Sequence, residues 1–405
     1  MLSTTGMGLV GIGVLWEHLR GPSLPGWAAI VTGWVLLLLP RRRLPVRTPS
    51  DWPLLLLAAM GGVSLLITAI PETTRVQVTR LWAGLVIFYA LVNWARERRQ
   101  LTLATIALVT GGVGIALLAP VAVDWNRAKM VLIPAAFYEP FPLLLPDPVH
   151  PNVMAALMVL LLPMPLALLI SPGAGRRFQT IALRLLLGLS VLLMGLILLL
   201  TKSRGGYIAG AVGGLLVVTL SVRTWWLRIL VVLLVVAVVG AGVWWFVHAD
   251  GDTGNQPELL EGAANPSTWD FRQQVWRTAV LMLQDFPFTG VGMGLFNEVG
   301  TLLYAWYAPQ NPGAHNLYLQ VGVDLGFPGL IAYLAILILT FHAAAKPLHR
   351  LPPGDPLHSI TLGGLAGLVA LMTHGLVDIT VWSTRAAFLP WLVLGLLTAL
   401  HHLDP

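Results

Sequence analysis

Residues 180–221 read TIALRLLLGLSVLLMGLILLLTKSRGGYIAGAVGGLLVVTLS, two long apolar runs around one short polar turn. Crossing a hydrocarbon core takes about 20 apolar residues of helix. A lone strand there would leave its backbone groups unpaired, so both runs are expected to be helical spans. The turn between them, Thr201-Lys202-Ser203-Arg204-Gly205-Gly206, then lies at a membrane surface.

The same alternation continues in both directions. Apolar runs fall at roughly 3–18, 24–40, 52–70, 76–95, 101–123, 151–171, 180–201, 205–221, 227–247, 315–342, 358–378 and 385–402. The fold class is all-α: a polytopic membrane protein of about 12 transmembrane helices. Composition agrees. The chain has 405 residues, 57% hydrophobic and 10% charged, where soluble domains carry about 25% charged residues. With a mean hydropathy of +0.79, it cannot cover a water-facing surface. That excludes a soluble enzyme, a nucleic-acid binder and a disordered protein. Cysteine is absent, so disulfides, thiolate metal sites and a cysteine nucleophile are excluded too. Residues 1–20 lack a basic n-region and a small-residue cleavage site, and read as a short first span.

The basic residues set an orientation. Arg41, Arg42, Arg43 and Arg47 follow the second span; Arg96, Arg98 and Arg99 the fourth; Arg176 and Arg177 the sixth; Arg223 and Arg228 the eighth; Lys346 and Arg350 the tenth. By the positive-inside rule these breaks, and both termini, are cytoplasmic. The odd-numbered breaks then face outward. Among them is one large outer loop, 248–314, between spans nine and ten. A helix is expected in it from about Trp269 to Gln284, with Phe271, Val275, Ala279 and Met282 on one face lying on the bundle or on the membrane surface. Asp285-Phe286-Pro287 ends it, and Gly290, Gly292 and Gly294 make a turned or flexible stretch. The chain divides into N-terminal membrane helices, 1–147, and a membrane domain, 148–405, that includes the outer loop.

Three polar motifs fall on the outer side. In the 201–206 turn, Lys202 and Arg204 flank the hydroxyl of Ser203 where a helix begins, and helix N-terminal amides favour an anion. Arginine adds a planar fork suited to phosphate; cations snorkelling to headgroups would also account for the turn. On the loop helix, Arg272 and Trp276 share a face, whereas Arg277 lies ~140° around the axis from Arg272. An interfacial helix resting on anionic headgroups fits that pattern as well. The third motif, Gly313-Ala314-His315-Asn316-Leu317-Tyr318, carries a histidine suited to general-base work or to a structural hydrogen bond. His374 and Asp378, four apart, read as a hydrogen-bonded structural pair. His150-Pro151-Asn152 reads as a helix start. Asp324 and Arg80 are the main ionisable groups inside spans. No zinc-spaced histidine pair and no phosphate loop is present, so no metal or other cofactor is expected.

These motifs, in this order, resemble the O-antigen ligase and polymerase family. The resemblance rests on Thr-Lys-Ser-Arg-Gly-Gly-Tyr at 201–207, Arg272-x-x-x-Trp276-Arg277, Pro287-Phe288-Thr289-Gly290-Val291-Gly292, Ala314-His315-Asn316-Leu317-Tyr318, Gly326-Phe327-Pro328-Gly329 and His150-Pro151-Asn152. It covers about Pro148 to Asp378. Asp324 stands where many members carry glutamate. The resemblance implies an inverting, metal-independent glycosyltransferase of the cytoplasmic (inner) membrane, with its active site on the periplasmic or extracellular side. Its donor would be a polyprenyl-diphosphate-linked glycan and its acceptor a glycan or glycolipid. By the motif match, Arg204 and Arg272 would bind diphosphate and His315 would be catalytic, with Lys202, Ser203, Arg277, Trp276, Asn316 and Tyr318 contacting substrate. A polymerase, adding repeats to repeats, shares these motifs. A transporter of a small anion or a lipid-linked sugar is the alternative outside the class; it would need ionisable groups near the membrane midplane.

Overall fold

The computed structural model describes residues 2–39, 45–125, 143–144, 147–171, 178–221, 224–248, 268–304 and 313–403. The basic residues Arg41, Arg42, Arg43, Arg176, Arg177 and Arg223 lie outside them, as does most of the outer break between spans five and six.

Fifteen helices are found among the described residues: α1 (Leu2–Arg20), α2 (Leu24–Leu38), α3 (Asp51–Ile67), α4 (Pro71–Trp94), α5 (Arg98–Ala122), α6 (Pro151–Leu161), α7 (Pro163–Leu169), α8 (Phe178–Leu200), α9 (Arg204–Ser221), α10 (Trp225–His248), α11 (Thr268–Asp285), α12 (Phe296–Leu303), α13 (Leu317–Arg350), α14 (Pro356–His374) and α15 (Phe388–His401). A helix lies at each of the twelve expected positions, and the sixth is split into α6 and α7 at Leu162. Pro163, which cannot continue the backbone ladder, explains the split. Seven of these segments are long and apolar enough to cross a membrane: α4, α5, α6–α7, α8, α9, α13 and α14. They make this a membrane protein. Helix α8 leaves Leu185, Leu189 and Leu192 exposed, an apolar face that only lipid or another apolar surface would cover.

Helix starts follow capping chemistry. The Ser23, Asp355 and Asn316 side chains accept backbone N–H groups at the starts of α2, α14 and α13, and His150 does so at α6. Pro151 and Pro356 stand just inside their helices, where a missing N–H costs nothing. One hydrophobic core runs through the bundle, from Val10 and Val14 to Leu396 and Leu400, with α4 packed on α15 and α9 on α14.

The bundle has two distinct ends. At one, Arg98 pairs with Asp355 at 2.7 Å and Lys346 donates to the His401 carbonyl. At the other, the 201–203 turn, residues 286–304 and 313–316 and the 375–387 segment converge. There α11 lays Val275, Ala279 and Met282, all fully buried, on Phe296 of α12 and Val323 of α13. Its apolar face is thus on the bundle. The glycine-rich stretch is tightly turned: the Val291 amide donates to the Val323 carbonyl at 2.8 Å. Helix α13 makes room by breaking at Gly326, at φ 68° and ψ −176°, a conformation open essentially to glycine. Phe327, one residue on, donates its freed N–H to the Pro287 carbonyl at 2.7 Å.

Candidate functional site

Asp378 is the hub of the convergent end. It follows α14 by four residues and is buried. Its Oδ2 accepts from Asn152 Nδ2 at 2.6 Å and stands 3.8 Å from His315 Nδ1, an ion-pair separation rather than a hydrogen bond. Its Oδ1 accepts from the Thr380 amide at 3.3 Å. Burial, the largest single influence, pushes the Asp378 carboxyl up, but the neighbouring His315, His374 and His150 imidazoles together outweigh it. The carboxyl is held well below the usual carboxylate range. Asp378 is therefore a fixed negative charge beside His315.

His315 is fixed from several sides. It adopts φ 45°, a strained backbone for a non-glycine residue and one that clusters at functional sites. Asn316, next in the chain, caps α13 through Oδ1 and donates Nδ2 to the Leu376 carbonyl at 3.0 Å. The Leu317 amide donates to the Gly375 carbonyl at 2.7 Å. From α11, Trp276 Nε1 donates to the His315 carbonyl at 3.4 Å, and Phe271 meets the imidazole edge to face, 6.1 Å between centroids.

The cationic motifs arrive from two further elements. The 201–203 turn places Lys202 at φ 52°. Ser203 Oγ accepts the Gly206 amide at 3.2 Å, capping α9, so Arg204 is the first residue of that helix. Ser203 Oγ also lies 3.5 Å from His374 Nε2. Gly205 packs so tightly that a Cβ on it would stand 2.6 Å from Val377 Cγ2 and 3.1 Å from His374 Cδ2. On α11, Arg272 is half-buried and within electrostatic reach of His374. The α9 start, Arg272 and Trp276 of α11, His315 and the 374–378 segment thus form one cluster.

Three expected residues have other surroundings. Arg277 is exposed, as its angular offset from Arg272 implies. Asn316 commits both side-chain polar atoms to the protein, and the Tyr318 hydroxyl donates to the Met372 carbonyl at 3.1 Å. The expected side-chain bond between His374 and Asp378 does not form. The His374 ring turns to Ser203 and the Asp378 carboxylate to Asn152 and His315; only the backbone bonds directly, Asp378 N to His374 O at 3.1 Å. Asn152 and Asp378 were legible as HPN at 150–152 and as an acid at the end of the 358–378 span, but not as His315's surroundings. Asp324 lies apart from the cluster. Its fully buried carboxylate accepts from Trp382 Nε1 at 2.8 Å, Gln320 Nε2 at 2.9 Å and the Gly294 amide at 3.2 Å.

Residues 189–334 match the family model described as O-antigen ligase, the family that the motifs resemble. This segment contains Lys202, Arg204, Arg272 and His315; Asn152, His374 and Asp378 lie outside it. Comparison of the chain with curated proteins gave no match.

Proposed function

We propose that the protein is an O-antigen ligase-type glycosyltransferase. It moves a glycan from a polyprenyl-diphosphate carrier to a sugar acceptor at the outer face of the cytoplasmic membrane, in a twelve-span bundle with both termini inside. The observation that carries this reading is the meeting of a helix N-terminus bearing Arg204, a helix bearing Arg272, and a histidine beside a buried carboxylate at one end of the bundle.

Each part has a role that follows from its chemistry. The amides at the start of α9 and the Arg204 and Arg272 guanidinium groups hold the donor's diphosphate and stabilise the charge that grows on it as it leaves. Lys202, half-buried in the same turn, adds to that field. The acceptor hydroxyl oxygen attacks the anomeric carbon, the bond to the diphosphate oxygen breaks, and His315 takes the hydroxyl proton. A single displacement inverts the anomeric centre. Asp378 sets the imidazole's orientation and stabilises its charged form, and Asn152 holds Asp378; both are positioning residues. Asn316 and Tyr318 act the same way, by fixing the start of α13. Arg277, exposed on the far side of α11, contributes little.

Transport would call on ionisable groups inside the spans; Asp324 is fully buried and accepts from Trp382, Gln320 and the Gly294 amide, contacts that suit a packing joint.

The test is transfer in liposomes, using purified protein and a labelled polyprenyl-diphosphate oligosaccharide, with and without acceptor. Arg204→Ala, Arg272→Ala and His315→Ala should each lower the rate by about 10²–10³-fold, and Arg277→Ala by less than about 3-fold. One discrete acceptor-dependent product fits a ligase, and a ladder of lengths fits a polymerase. Undiminished transfer in a correctly inserted Arg204→Ala or His315→Ala protein would overturn the mechanism.

A further inference from the structure

Beyond the 378–383 segment lies a cavity that the transfer chemistry does not use. Helices α4, α13, α14 and α15 line a cavity that is open on one side. Most of the wall is apolar, with Leu81, Leu337, Leu368, Leu371, Trp391 and Leu394 contributing. Gln77, Arg80, Thr380 and Ser383 also line it.

The polar groups are incompletely used. Arg80 Nη1 donates to the Ser383 carbonyl at 2.9 Å and Nη2 to the His18 carbonyl at 3.3 Å. These two bonds fix the plane of the guanidinium. Arg80 Nε, Ser383 Oγ and Gln77 Oε1 are buried without a hydrogen-bond partner among the described residues. Native proteins carry few such atoms, and three along one cavity call for an occupant. Among the described residues no carboxylate pairs with Arg80 there. The neighbouring charges, Arg385 and Asp147, pair with each other at 2.8 Å. Thr380 and Ser383 hold this wall at φ 56° and 62°, strained backbone of the kind that persists at ligand clamps.

We propose that this cavity binds an anionic lipid, with its phosphate on Arg80 and Ser383 and its chain along Leu337, Leu368 and Leu394. Arg80 supplies charge and an Nε–H, Ser383 a hydroxyl, and Gln77 an amide that can turn its NH₂ inward; a phosphate has oxygens for all of them. A water-soluble anion is a poor fit. Arg80 sits nine residues along α4 from Pro71, roughly 14 Å at 1.5 Å per residue, and the surrounding wall is hydrocarbon. A lipid brings its own apolar chain to that depth. The shared chemistry is a lipid phosphate, carried by a bilayer phospholipid or by a polyprenyl monophosphate. The inference rests on binding alone and stands apart from the transfer reading.

Native mass spectrometry of the full-length protein in detergent tests it. The probes are phosphatidylglycerol, a polyprenyl monophosphate and, as the phosphate-free control, diacylglycerol. At least one phosphate lipid should be retained tenfold or more over diacylglycerol. Arg80→Ala should weaken that retention about tenfold, and Arg80→Lys, which keeps charge but loses the Nε–H, should weaken it less. Ala387→Leu, which grows into the cavity, should also weaken it. Preference for phosphatidylglycerol assigns the site to a bilayer lipid, and preference for polyprenyl monophosphate to a carrier lipid. Retention no better than diacylglycerol, or equal retention by the native protein, Arg80→Ala and Ala387→Leu, overturns the proposal. If Arg80→Ala fails to fold, Arg80→Lys and Ala387→Leu decide it in the same way.

Discussion

Replacing Asp378 by asparagine tests how His315 is held. The change keeps the side chain's shape and removes its charge. At the 3.8 Å separation from His315 Nδ1, Coulomb's law with an effective dielectric of about 20 gives about 4 kcal/mol between full charges. His315 is 24% exposed, so solvent screening reduces this to about 1–3 kcal/mol. If the imidazolium forms as the acceptor loses its proton, the turnover number should fall by about 5–150-fold. The KM for the donor should change little, because the proposed reading holds the donor's diphosphate on Arg204, Arg272 and the α9 amides rather than on Asp378. The assay is initial-rate transfer in liposomes at saturating donor, beside His315→Ala and the double variant. Because Asp378 acts through His315, Asp378→Asn should cost almost nothing further once His315 is alanine. Asn152→Ala, which removes the 2.6 Å bond to the same Oδ2, should slow transfer in the same direction and less. Full activity in a folded Asp378→Asn protein, or losses that multiply in the double variant, would refute the reasoning.

Asp324→Ala should lower stability by more than about 3 kcal/mol, since it strips the acceptor from three buried donors; thermal unfolding in detergent measures this, and Asp324→Asn should fall between it and the native protein. Gly205→Val should destabilise by about 1–3 kcal/mol by overpacking, because its Cβ would stand 2.6 Å from Val377 Cγ2; a rise in melting temperature would contradict the close packing. Tyr304 ties α12 to α11 by donating its hydroxyl to Asp285 Oδ2 at 2.6 Å. Burial first, and then the Asp285 carboxylate, push its phenol up to about 12. A raised pKa means that the contribution to stability is fully present below the unfolded value near 10 and is lost as pH rises through 12. Hydrogen exchange should therefore show the α11–α12 junction loosening between pH 10 and 12 in the native protein, and no such step in Tyr304→Phe.

The long helices were legible because length and hydropathy alone specify them. The buried face of α11 was legible for a related reason: Val275, Ala279 and Met282 recur at helical spacing. Helix α12 was not foreseen. It spans only Phe296–Leu303, and Leu295 at its start gives no side-chain cap. Nor was the break at Gly326, since apolar residues continue on both sides of it. The most instructive miss is Asp378. Spacing of four residues pointed to His374, and local spacing is all that one helix can reveal. The partners that matter arrive from other elements: Asn152 lies 226 positions away in the chain and His315 precedes α13. Such partners are fixed by tertiary packing, which local patterns do not encode.

That packing also bears on how the site is distributed along the chain. The 189–334 segment holds Arg204, Arg272 and His315, to which the proposed reading gives the diphosphate and the base. It does not hold the carboxylate beside the base, which comes after α14, nor the amide that steadies the carboxylate, which comes from the start of α6. It also lacks His374, against which Gly205 packs and beside which Arg272 stands. A histidine at φ 45° is a strained arrangement that surrounding structure must impose. Here that structure is Leu376 accepting from Asn316, Gly375 accepting from Leu317, and Trp276 donating to His315 itself. Two of these three restraints come from the 375–378 segment. The geometry of His315 is therefore a property of the whole bundle, and changes in the 375–378 segment should alter the chemistry while every arginine stays in place.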